Sequence, residues 1–160
     1  MSTKPGLLLV GVGNQWRGDD GVGPWIVRAL RDGLAPDVAT LCGVNDGLAL
    51  LDAWQGVAQV YAFDALSGAA APGVAVRIDA LCEALPNQAK VSSHAFGLAE
   101  AITLGHALGR LPQQLTVIGI EGRCFDHGQT LSPEVEAAAR RVVAGLRIEL
   151  AERRGAQTHA

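Results

Sequence analysis

The chain has 160 residues, 49% hydrophobic and 18% charged, a balance that suits one globular domain and excludes a disordered chain. A net charge of −3, with Lys and Arg scattered, leaves no electrostatic footprint for nucleic acid or an anionic membrane. Three widely spaced cysteines without a CxxC argue against a disulfide framework and a cysteine-based zinc site. They fit a reducing compartment. The opening MSTKPGLLLVGVG reads as neither a signal peptide nor a membrane span, so a cytoplasmic protein is expected.

In chain order, GLLLVGVG (6–13) reads as a buried strand ended by glycine. DDGVGPWIVRALRDG (19–33) has an acidic start, apolar Val22, Trp25, Ile26, Ala29 and Leu30 at helical spacing, and Gly33 as a stop. DVATLCG predicts a second strand, and DGLALLDAW a short helix with Asp46 as N-cap. VAQVYAFDAL is a third strand and VAVRID (74–79) a fourth. The link between these two is about ten residues, too short for a helical crossover, so the fourth is expected to run antiparallel at an edge. SSHAFGLAEAITLGHALG (92–109) predicts a helix opened by Ser92 or Ser93 and closed by Gly109. QLTVIGIEG is the fifth strand. The stretch 132–155 predicts a final helix with Ser132 as N-cap and Pro133 at its first position. The whole chain, 1–160, reads as a single domain with its core over about 7–150 and a frayed tail over 155–160. The alternation predicts a three-layer α/β fold with a mostly parallel sheet, whose working crevice lies beyond the carboxyl ends of the strands.

Three segments that follow strands carry polar groups: Asp19–Asp20, Asp64 and His94. The stretch GVGNQWRGDDGVG (11–23) has five glycines, yet Trp16 stands where a dinucleotide fingerprint needs its third glycine. No lysine completes a Walker A loop. Two carboxylates at a helix start repel a phosphate and suit a cation. Asp64 ends an apolar strand, where an unpaired carboxylate is costly. Two carboxylates and an imidazole make a mixed O/N set suited to a divalent transition metal with positions left open. Cys42 and Cys82 read as core thiols, Trp25 as core and Trp16 as an exposed loop residue. No G-x-S-x-G is present to support a serine nucleophile.

These stretches resemble the nickel–iron hydrogenase maturation endopeptidases. LLVGVGNQWRGDDGVGPWIVRAL is similar to that family's GxGNxxxxDxGxG opening, YAFDAL to its second acidic motif, and SSHAFGLAEAI to its histidine segment. The likeness runs from about residue 7 to 150. It implies a five-stranded sheet of order 2-1-3-5-4 with strand four antiparallel. It also implies an enzyme that cuts a C-terminal extension from a hydrogenase large-subunit precursor after nickel insertion. The family's metal-contacting and catalytic acid, acid and histidine carry over onto Asp20, Asp64 and His94, leaving Asp19 as neighbour or support. The nickel would be carried by the substrate, with no tightly bound cofactor of the enzyme's own, and a monomer is expected. One departure stands out: CGVNDG (42–47) replaces the family's Asp-Gly-Gly-Thr-like segment, with Cys42 where the acid usually stands. The competing reading is a receiver-like phosphorylation domain with an acidic magnesium site, which also gathers acids after strands one and three. A nucleotide- or flavin-binding module is disfavoured by the acidic loop.

Overall fold

The computed structural model describes residues 3–85 and 97–160. In chain order the elements are β1 (Leu7–Val12), a 3-10 turn (Gly18–Gly21), α1 (Val22–Leu30), β2 (Val38–Val44) and α2 (Gly47–Trp54). They continue with β3 (Gln59–Leu66), β4 (Ala75–Asp79), α3 (Leu98–Leu108), β5 (Gln114–Glu121) and α4 (Pro133–Thr158). The strands form one sheet of order β2-β1-β3-β5-β4. All neighbours are parallel except β4, which pairs antiparallel with β5 from Ala75↔Ile120 to Asp79↔Thr116. The short link before β4 has the consequence expected of it.

Alternation along the strands separates two cores. Leu7, Leu9, Tyr61, Phe63, Ile118 and Ile120 face α1 and α4, while Leu8, Val10, Val60, Ala62, Leu115 and Val117 face α2 and α3. Both faces of the central strands are buried, so these strands read as continuous apolar runs. Each fully buried Leu, Ile or Val contributes about 1.5–3 kcal/mol relative to exposure. Trp54 is fully buried and its indole N–H donates to the Arg110 carbonyl at 3.1 Å, so the polar end of the ring is satisfied inside the core.

The element ends show where local signals hold and where tertiary contacts override them. Asp46 caps α2 by accepting the Leu48 N–H at 2.9 Å, and Gly109 closes α3 in the left-handed conformation at φ 64°. The described part of α3 opens at Gly97, whose N–H donates to Glu100 Oε2 at 3.0 Å. The opening is therefore set by Glu100 rather than by Ser92 or Ser93, which lie outside the described residues. Pro133 begins α4, but the Ser132 side chain makes no capping bond; its hydroxyl is drawn elsewhere, as described below. α4 continues past Gly155 to Thr158. Trp25 is half-buried against the core under the Arg140 guanidinium. Cys42 is only half-buried and Cys82 is exposed in the turn after the edge strand, so neither is the core thiol expected from composition.

α4 is tied to the sheet by a polar cluster. Arg77 on β4 bonds Glu149 at 2.5 Å and lies over the Tyr61 ring, and the Tyr61 hydroxyl donates to Glu149 at 3.0 Å. The Arg77 hydrogen bond, aided by Tyr61, holds the Glu149 carboxyl below its usual range. A depressed folded value means the stabilisation is present above the unfolded carboxylate pKa and is lost as pH falls through the folded one. Glu149→Gln should therefore destabilise at pH 7 by under about 1 kcal/mol, because the pair is partly solvated. Urea unfolding at pH 7 and pH 3 checks this: the gap between variant and wild type should shrink at the lower pH.

Candidate functional site

The glycine-rich stretch after β1 lets backbones touch. Gly13 has φ +115°, and a Cβ there would stand 2.1 Å from the Asp20 carbonyl oxygen. A Cβ on Gly23 would stand 2.3 Å from the Phe63 carbonyl oxygen and 2.5 Å from that of Val12. One on Gly18 would meet the Cys124 carbonyl at 2.4 Å. The glycines thus press the 3-10 turn and the start of α1 onto the ends of β1 and β3 and onto the segment after β5. Their role is to seat two aspartates, one pointing inward and one toward the rim.

Asp20 is half-buried, and its Oδ2 accepts the Asn14 N–H at 2.9 Å. The Asn14 side chain in turn accepts the Trp16 N–H at 2.9 Å, which shapes the loop leading to the turn. Trp16 itself is 69% exposed at the loop tip, as its position in the sequence suggested. Asp19 is 0% exposed and fully engaged. Its Oδ2 accepts the N–H groups of Arg123 at 2.7 Å and Cys124 at 2.9 Å and the Ser132 hydroxyl at 2.8 Å; its Oδ1 accepts the Ser132 N–H at 2.7 Å. Backbone bonds from Gly18 to Gln129, Asp19 to Cys124 and Gly128 to Trp16 complete the join. Ser132 serves Asp19 instead of capping its own helix.

Asp64 lies within β3, two residues before its end, and is 8% exposed. Its Oδ1 accepts the Ala65 N–H at 2.8 Å. Alternation puts it on the face of Val60 and Ala62, toward α2 and α3. Because β1 and β3 are neighbours and the 3-10 turn packs on β3, the fold brings Asp20 and Asp64 to the same end of the sheet. His94 lies outside the described residues. Among the described residues no group of three His, Cys, Asp or Glu side chains is placed to hold a metal. Cys124 Sγ and Asp126 are 3.4 Å apart after β5, and His127 beside them is exposed.

Glu121 was not singled out in the sequence. It ends β5, is 4% exposed, and accepts the Gly68 N–H on its Oε1. The signal that marked Asp64, a carboxylate at the end of an apolar strand, applied equally to IGIEG and could have found it.

A parallel sheet with one reversed edge strand and acids gathered past the carboxyl ends of β1 and β3 defines a doubly wound α/β domain with its site at the switch point. Residues 27–147 match the sequence model of the hydrogenase maturation protease (HycI) family. The chain is 33% identical over 149 residues to the hydrogenase 2 maturation protease of Escherichia coli, covering 88% of this chain and 90% of that protein. It is 29% identical over 140 residues to the hydrogenase expression/formation protein HupD of Thiocapsa roseopersicina, covering 85% of this chain but only 63% of that longer relative. Among solved structures it is similar to the hydrogenase maturating endopeptidase HybD of E. coli, with a TM-score of 0.74 and 31% identity over 89% of this chain and 93% of that one. The chain belongs to the hydrogenase maturation protease family, a family of peptidases.

Proposed function

We propose that this chain removes the C-terminal extension of a nickel–iron hydrogenase large-subunit precursor after nickel insertion, recognising the nickel that the substrate carries. The observation that supports this most is the pairing of Asp20 and Asp64 at one end of the sheet, in a chain of this family. Asp20, Asp64 and His94 contact the nickel and its surroundings. They come from three separated segments and leave positions open for the substrate's own ligands. One carboxylate takes the proton of the attacking water and returns it to the departing amine, while the other holds the water against the scissile carbonyl. The chemistry is thus carried by aspartates, in the cytoplasm, by a monomer. No helix among the described residues is long and apolar enough to cross a membrane. The receiver-like reading is set aside by the family match and by the segment after β5, which offers Glu121 and Gly122 where a lysine would be needed.

The test uses metal-stripped enzyme with nickel-loaded and nickel-free precursors, read by intact mass. Cleavage of the loaded precursor alone is expected, with casein left untouched. Equal cleavage of both precursors would overturn substrate-borne nickel as the trigger.

A further inference from the structure

Glu121 is a buried carboxylate that the mechanism above does not use. In the β3–β5 register Leu66 lies beside Glu121 and Asp64 beside Gly119. Side chains two apart on a strand share a face, so Glu121 and Asp64 lie on the same face of the sheet, one pair step apart. The residues around Glu121 grip the connection that follows Asp64 at both of its stems. At the near stem the carboxylate accepts the Gly68 N–H, and the Gly122 N–H donates to the Leu66 carbonyl at 2.8 Å. At the far stem the Gly73 N–H donates to the Glu121 carbonyl at 2.8 Å, and the Glu121 N–H to the Val74 carbonyl at 2.9 Å. Three of these four bonds are made by backbone and survive any substitution. The Gly68 bond alone depends on the side chain, and it holds the exposed connection closest to Asp64. A Cβ on Gly68 would stand 3.4 Å from the carboxylate, so the small residue there suits the close seat.

We propose that Glu121 is a positioning residue: its carboxylate straps the 67–73 connection to the end of β5 and thereby fixes the end of β3 that carries Asp64. The inference rests on the proposed peptidase reading for its catalytic consequence, but the strap itself does not. What the position requires is a hydrogen-bond acceptor, not a charge. Leucine fills the volume and removes the acceptor, while glutamine keeps it. A shift of a reacting group by a fraction of an ångström lowers turnover more than it lowers binding.

Glu121→Leu and Glu121→Gln are compared with wild type in two arms. Without any substrate, amide exchange of Gly68 and the carboxyl-carbon chemical shift of Asp64 are followed by NMR. The leucine variant should lose Gly68 protection and move the Asp64 signal; the glutamine variant should do neither. With nickel-loaded precursor, the leucine variant should lose about tenfold or more in kcat with KM changed less than threefold, and the glutamine variant should stay within about threefold of wild type. Unchanged Gly68 exchange and Asp64 shift in the leucine variant would overturn the strap. A glutamine variant as impaired as leucine would overturn positioning in favour of a role for the charge. A wild type that cleaves no precursor would count against the peptidase reading while leaving the NMR arm to decide the strap.

Discussion

Asp19→Ala should destabilise the fold by about 3–5 kcal/mol, the range for removing one partner from a buried charged network. Its carboxylate takes four donors from Arg123, Cys124 and Ser132 at 2.7–2.9 Å with no exposure to water. Alanine leaves these donors in a dry space shaped for a carboxylate, and no solvent route compensates them. In a chain of this size the loss corresponds to a fall in melting temperature on the order of 10 °C. Asp19→Asn keeps one acceptor oxygen and should fall between the two. Thermal and urea unfolding measure both variants. A change under about 1 kcal/mol for alanine would mean that the clamp does not hold in solution. The effect of Asp19 on processing should follow the folded fraction, in contrast to that of Asp20.

Asp20→Ala and Asp64→Ala should each reduce processing of the nickel-loaded precursor at least about a thousandfold, with stability within about 1 kcal/mol of wild type. The asymmetry follows from their surroundings. Asp20 is half-buried and shapes only the Asn14 turn, while Asp64 bonds the adjacent Ala65 N–H, and removing its carboxylate also removes a desolvation cost. His94→Ala belongs to the same set. Asp64→Asn refines the point: it keeps the acceptor for Ala65 and the volume but loses the charge, and should remain inactive. Cleavage by Asp64→Asn within tenfold of wild type would remove that carboxylate from the chemistry. If Asp19→Asn silenced a fully folded enzyme and Asp20→Asn did not, the assignment within the pair would be off by one.

The division between Asp19 and Asp20 shows how far the sequence carries. That two acids in a glycine-rich turn face a cation rather than a phosphate was readable from residue types alone, as was the reversal of β4 from its short link. Which acid turns inward was not. It depends on donors at 123, 124 and 132, more than a hundred residues away, and no local propensity encodes that pairing. The same contact explains Ser132, whose sequence context predicts a cap and whose hydroxyl goes to Asp19 instead. The start of α3 erred for a different reason: serine is a strong local signal, but Gly97 with Glu100 closes the described helix by a bond that needs only the glycine backbone. Glu121 escaped because a strand-ending acid is marked by what it straps, and its partner at Gly68 lies across the sheet.

The join between Asp19 and the 123–132 segment also sets a schedule for synthesis. A ribosome that has released residues 1–85 has delivered both aspartates and three of the four parallel strands, yet none of the groups that seat Asp19. The anchor arrives only with the last quarter of the chain, after β5 has been inserted beside β3, so closing the turn waits on the most distant contacts in the molecule. A partly made chain therefore carries its acids without their frame. Truncation before residue 132 should yield a molecule with intact motifs and no ordered rim, so competence to cut is reached only when the polypeptide is nearly finished.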